Sequence, residues 1–148
     1  MTPANPWRSY RQIATQTAPP GQLVLMLFDG AIRSLDRALL GFNCTDVGER
    51  NATIHNNLQR AIDIIRELNG SLDLEAGGQL ADTLRDLYAF FERRLLESNL
   101  KKTRRGIDDV VPMLKQLRDA WFKMLNGDAA AAPLAAAEIW PASRLAAA

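Results

Sequence analysis

Between residues 47 and 72 the apolar side chains recur at Ile54, Leu58, Ala61, Ile65, Leu68 and Leu72, at alternating spacings of four and three. That alternation keeps one narrow stripe on one side of an α-helix, and it is the seam of helices that pack nearly parallel in a bundle. A half-buried strand needs a period of two instead, and nothing in the 148 residues shows it. Three further stretches carry a helical stripe. Val24, Phe28, Ala31, Leu35, Ala38 and Phe42 mark a helix over about 20–42. Leu80, Leu84, Leu87, Phe91 and Leu95 mark another over about 79–100, and Val110, Leu114, Leu117, Trp121 and Met124 a last one ending near 126.

The punctuation between them is chemical. Pro19-Pro20-Gly21 precedes the first helix, and proline is tolerated in a first turn. Thr45 or Asp46 can cap the second helix, which ends over Asn69-Gly70-Ser71, with Gly77-Gly78 as a break before the third. The basic run Lys101-Lys102-Thr103-Arg104-Arg105 and Gly106 form the next loop. The fourth helix starts near Asp108 or Asp109, with Pro112 in its first turn if Asp109 is the cap and kinking it otherwise. Asn126-Gly127 is its stop. The pattern predicts an all-α, antiparallel up-down four-helix bundle over 20–127. An N-terminal arm over 1–19 and an Ala/Pro-rich tail over 128–148, flexible or weakly docked, flank it.

Charge and chemistry narrow the function. The formal net charge is +1, with no global pull toward nucleic acid, so residues 101–105 read as a solvated loop. Cys44 is the sole cysteine, which fits a reducing compartment. The longest strongly apolar run, Leu23 to Phe28, is far short of the roughly 20 residues that span a bilayer. A cytosolic protein without membrane insertion is expected. The one histidine, His55, sits at the seam's edge and reads as a surface or interhelical polar residue. Neither a Glu-x-x-His pair nor a phosphate-binding glycine loop occurs. We therefore expect no enzyme, no cofactor and no metal.

What remains is a surplus of apolar positions beyond one stripe per helix: Leu23, Leu25, Met26, Leu27, Ile32, Leu39 and Leu40, then Ile62 and Ile64, then Phe90, Leu96 and Leu100. Open to water, these would form patches larger than a monomer shows. The arm, the tail, a second copy in a homodimer or a client peptide laid between helices would cover them; the alternative is that the first helix is central and buried. Candidate client contacts are Tyr10 and Ile13 on the arm, the alternative for both being a simple cap on the bundle end, and Met26, Leu27 and Ile64 as groove walls, methionine being suited to adaptable surfaces. Asn57 and Asn99 are polar positions able to bond a client backbone or to cap and bridge locally. Tyr88 and Trp121 read as core aromatics.

Tyr10, Pro19-Pro20 and Leu27-Phe28-Asp29-Gly30-Ala31-Ile32 are followed by Arg60 to Leu68 (RAIDIIREL), Ser71-Leu72-Asp73 and Gly77-Gly78. Leu84, Leu87-Tyr88, Leu95, Asn99 and Leu117-Arg118-Asp119-Ala120-Trp121 complete the series. In this order, from about Arg8 to Met124, the chain resembles the FliS family of flagellar secretion chaperones. The resemblance implies a four-helix bundle that holds the disordered C-terminal segment of flagellin in hydrophobic grooves. It implies a cytoplasmic chaperone that prevents premature polymerisation and delivers subunits to the flagellar type III export gate. Other flagellar regulators are alternative partners, and the family's arm can lie over part of the client surface. Two positions depart from the family: Phe28 stands where tyrosine is usual, and Ser98 where alanine usually precedes Asn99.

Overall fold

Four helices account for most of the chain in a computed structural model that describes residues 20–127. They are α1 (Pro20–Gly41), α2 (Val47–Gly70), α3 (Leu74–Lys101) and α4 (Arg105–Leu125). The connections are short, so successive helices run antiparallel. Helix α1 packs against α2 and α4, and α3 against the same two, which gives a square up-down bundle. No strand occurs among the described residues.

Side chains at the helix starts decide the boundaries. Asp46, not Thr45, caps α2, its carboxylate accepting the Glu49 N–H at 2.8 Å. Asp73 does the same for Ala76 at 3.0 Å, so α3 starts at Leu74, earlier than the expected Gln79. The glycine break is real but lies inside α3 as a kink: Gly78 has φ of 56° and ψ of −137°. A side chain there would be strained, and glycine avoids that cost.

Helix α4 also starts earlier than Asp108, and the cause is tertiary. Arg104 makes no capping bond with its side chain; instead Ser98 Oγ, from α3, accepts the Gly106 N–H at 2.8 Å. Gly106 is thus a buried helical residue and not part of a loop. Pro112 consequently falls past the first turn, yet α4 is continuous from Arg105 to Leu125. Proline removes one bond, to the Asp108 carbonyl, and both residues lie on the exposed side of α4, where the loss costs least. Gly127, at φ 83°, ends α4 as expected.

The stripe of α2 is the centre of the core, with Ile54, Leu58, Ala61, Ile65 and Leu68 at 0% exposure. Tyr88 and Trp121 are buried, as their positions predict. The surplus on α1 divides: Leu23, Leu25 and Leu27 join the same core, as do Ile62 and Ile64 of α2, while Met26, Ile32 and Leu39 are half-buried against it. Helix α1 therefore buries two flanks as well as its inner stripe, while Arg33, Asp36, Arg37 and Leu40 stay exposed on its outer face. Of the surplus, Leu40, Leu96 and Leu100 remain open, Leu100 at 85%.

Candidate functional site

Gly41 lets α1 approach α2 closely, and Gly30 lies farther along the same seam. A Cβ on Gly41 would lie 3.0 Å from Thr53 Cγ2 and 3.1 Å from Ile54 Cγ1. One on Gly30 would lie 3.4 Å from Ile64 Cδ1. These contacts fix the antiparallel register, in which Arg37 lies level with Asn57 and Arg60 level with Ser34. Met26, Gly30, Arg33 and Arg37 are spaced by four, three and four, and share the outer face of α1 beside this seam. Asn57, Arg60 and Ile64 share the facing edge of α2. Because Gly30 carries no side chain, the seam is shallow there and Ile64 closes its floor, at 5% exposure.

The expected contact residues divide. Met26, half-buried, Asn57 and Ile64 come together along this seam. Leu27 does not: it is 1% exposed and about 100° round the helix from Met26, so it packs the core and forms no groove wall. Asn99 lies at the opposite edge of α2, on α3. Its Nδ2 is 3.0 Å from His55 Nδ1, while its backbone carbonyl and Oδ1 accept from Lys102 Nζ at 2.5 and 2.8 Å. It ties α2 to α3, and His55 is the interhelical polar residue its position predicts. Tyr10 and Ile13 lie outside the described residues. Asn57 Nδ2 donates to the Thr53 carbonyl at 2.8 Å, which orients the amide and leaves its Oδ1 buried with no donor.

Three tertiary joints escaped the sequence reading. Arg118 of α4 donates to Asp29 of α1 at 2.8 Å, across 89 residues. That bond raises the Arg118 guanidinium above its ordinary pKa, so it stays charged wherever the fold persists. Trp121 Nε1 donates to the Gly21 carbonyl at 2.8 Å. Ser98 and Gly106 form the third joint. Helical periodicity places such residues on faces but carries no signal for which distant face they meet.

A polar depression of about 490 Å³ opens between the C-terminal end of α3 and the start of α4. Most of its charges are paired: Arg94 with Asp109 at 2.5 Å and Glu97 at 3.0 Å, Lys101 with Glu97 at 3.1 Å, Arg104 with Asp108 at 3.2 Å, while Arg105, also lining it, has no ion-pair partner among the described residues. The hydrogen bond and charge of Lys101, then the charge of Arg94, hold the Glu97 carboxyl below the usual carboxylate range. Among the described residues no His, Cys, Asp and Glu cluster could hold a metal ion, and no helix is long and apolar enough to cross a membrane.

The family model described as flagellar protein FliS matches residues 3–128 of the chain. The chain belongs to the FliS family. It is similar to the flagellar secretion chaperone FliS of Salmonella typhimurium, with 37% identity over 82% of this chain and 90% of that protein. It is 30% identical to the Bacillus subtilis flagellar secretion chaperone FliS, covering 86% of this chain and 92% of the relative. For that of Escherichia coli the identity is 35%, over 84% and 93%. Each of these relatives is a flagellar secretion chaperone. In FliS terms, the segments that carried the resemblance are largely the ones that join the bundle: Gly30 meets Ile64, Asp29 meets Arg118, and Trp121 meets the start of α1.

The departure at Ser98 has a structural use here. The side chain is 1% exposed and its hydroxyl is the acceptor for the α4 terminus. Ser98→Ala leaves the Gly106 N–H buried and unmet, and is expected to lower stability by about 1–3 kcal/mol. Urea unfolding of the two proteins checks this; equal midpoints would show that another acceptor takes over.

Proposed function

We propose that the chain is the cytoplasmic export chaperone of a flagellin, holding the disordered C-terminal segment of that subunit until it reaches the flagellar type III export apparatus. The α1–α2 groove is the seat we assign to part of that segment. The observation that supports it most is the convergence of Met26, Gly30 and Ile64: an adaptable side chain, a gap and an apolar floor along one outer seam. A helix with apolar residues every three or four positions lays such a face into a groove of this kind. While the segment is held it cannot pair with a neighbouring subunit, which accounts for blocked polymerisation. Tyr10 and Ile13 of the arm are proposed as further contacts, with the export gate as the partner that receives the complex.

Folding of a disordered segment on the bundle costs ordering free energy, and apolar burial offsets it. Calorimetric titration with full-length flagellin should give one-to-one binding and a negative heat-capacity change. Flagellin truncated before its C-terminal segment should give no heat of binding. Equal binding of the truncated and intact subunits would sink the proposal. Competition between flagellin and any second flagellar regulator would show whether they share the seat.

A further inference from the structure

Most described arginines have an obvious duty. Arg66 pairs with Glu92, Arg85 with Asp82, Arg94 with Glu97 and Asp109, Arg104 with Asp108 and Arg118 with Asp29. Arg50 lies over the Phe42 ring and Arg93 over Phe90. Arg33, Arg37, Arg60 and Arg105 have neither kind of partner among the described residues, and all four are exposed. Three of the four border the α1–α2 groove. Arg33 and Arg37 lie one turn apart on α1, and the Gly30–Ile64 and Gly41–Ile54 contacts put Arg60 of α2 level with the turn between them.

None of the three arginines forms an ion pair among the described residues, although acids lie within a turn of them: Asp29, four residues before Arg33, is held by Arg118 at 2.8 Å, and Glu67 lies on the α2 edge three residues past Ile64. Asp36 stands on the other side of the outer face of α1, toward α4, and Asp63 faces outward on α2, accepting from Gln59 Nε2 at 3.1 Å. Three unpaired guanidinium groups beside an apolar floor make an amphipathic seat, cationic on its rims and greasy below. Arginine suits such a rim because its fork meets a carboxylate with two bonds at once.

We propose that the strip Arg33–Arg37–Arg60 selects an acidic helical segment: one with a small apolar face for Gly30 and Ile64, flanked by Asp or Glu that pair with the three arginines. This rests on the reading of the groove as a client seat, and it names the client chemistry that seat accepts. The strip guides encounter and fixes register, while the apolar floor supplies affinity that persists in salt. A peptide is favoured over a nucleic acid because only three cations line the site and its floor is apolar, whereas backbone binding of nucleic acid uses longer arrays of cations.

The test titrates the full chain and its Arg33→Gln/Arg37→Gln/Arg60→Gln variant with a flagellin C-terminal peptide at low and high salt. Two designed helical peptides serve as a second probe, identical in apolar face but flanked by Glu in one and by Lys in the other. Glutamine matches arginine closely in helix propensity and the positions are exposed, so both proteins should melt at similar temperatures. For the unaltered chain, binding of the flagellin peptide and of the Glu peptide should weaken about tenfold from low to high salt. The variant should bind both about tenfold more weakly at low salt and equally at high salt. A variant that matches the unaltered chain at low salt overturns the proposal. If the flagellin peptide binds neither protein, the flagellin reading fails and the designed pair decides: preference for Glu over Lys, lost in the variant, upholds the strip, and no preference overturns it. Displacement of the Glu peptide by single-stranded RNA of equal or greater affinity, or a wild-type dimer that the variant cannot form, also overturns it.

Discussion

Gly106→Ala should remove most of the stability of this protein, about 4 kcal/mol or more by analogy with severe backbone clashes in buried sites. A Cβ at this position would fall on the Arg94 carbonyl oxygen and within 2.5 Å of Ser98 Oγ. The serine could rotate, but the carbonyl belongs to the middle of α3 and is held in that helix. Relief therefore requires the start of α4 to lift away from α3, which breaks the Ser98–Gly106 bond at 2.8 Å and disturbs buried Ile107 and Val110. A domain this size has only about 5–15 kcal/mol in hand. Gly70 is the control, because nothing lies within 4 Å of its Cβ position, and Gly70→Ala should be neutral or slightly stabilising. Urea denaturation of both variants checks the contrast. Adding Ser98→Ala to Gly106→Ala should not rescue it, since the clash with the α3 backbone remains; rescue would mean that the serine alone is the obstacle.

Gly106 also shows where sequence reasoning reaches its limit. The glycine follows a run of four cations, and locally that reads as a loop. Its conformation is decided by a helix crossing eight residues earlier, which a one-dimensional pattern does not contain. The same holds for the start of α3. Asp73 is an ordinary capping residue, but Gly77-Gly78, four and five residues after it, read in sequence as a break before the helix. The structure keeps both signals, with a capped first turn followed by a kink at Gly78. By contrast, the stripes of α2 and α4 were fully legible, because a 4-3 repeat sustained over about four to five turns admits only one helical face.

The groove was half legible. Met26 and Ile64 stood out as apolar residues off the core stripe, and both border the seam. Leu27 carries the same composition signal but points a quarter turn further inward, and the deciding quantity is where α2 sits relative to α1. The close approach of the two helices at Gly41 fixes that position, and the sequence displays this residue only as one of low helix propensity. Asn57 and Asn99 looked alike in sequence. One lies on the seam with a buried, unmet acceptor, and the other bridges to His55 and closes the turn after α3. Polar residues on apolar helices are ambiguous until their neighbours are known, because the same amide can serve a cap, a bridge or a ligand.

If the α1–α2 seam is the client seat, Gly30 is the position where binding and folding separate most widely. Its Cβ position lies 3.4 Å from Ile64 Cδ1, which is close but ordinary contact, and the residue is only half-buried. Gly30→Ala should therefore fit, and should gain up to about 1 kcal/mol from helix propensity. It should bind the flagellin C-terminal segment nearly as the unaltered chain does. Gly30→Phe adds a ring with no room beneath it. The ring must lie outward along the groove, over Ile64, in the space a client side chain would occupy. The protein should stay folded, with a melting temperature near that of the alanine variant, while affinity for the segment falls about a hundredfold, or roughly 2.8 kcal/mol. Calorimetry on the three proteins, with circular dichroism to confirm helix content, separates the possibilities. Unchanged binding by Gly30→Phe would place the seat elsewhere on the bundle. A destabilised Gly30→Ala would mean that the two helices approach more closely than the 3.4 Å contact allows. Loss of binding in the phenylalanine variant alone is the result that ties the shallow point of the seam to the client.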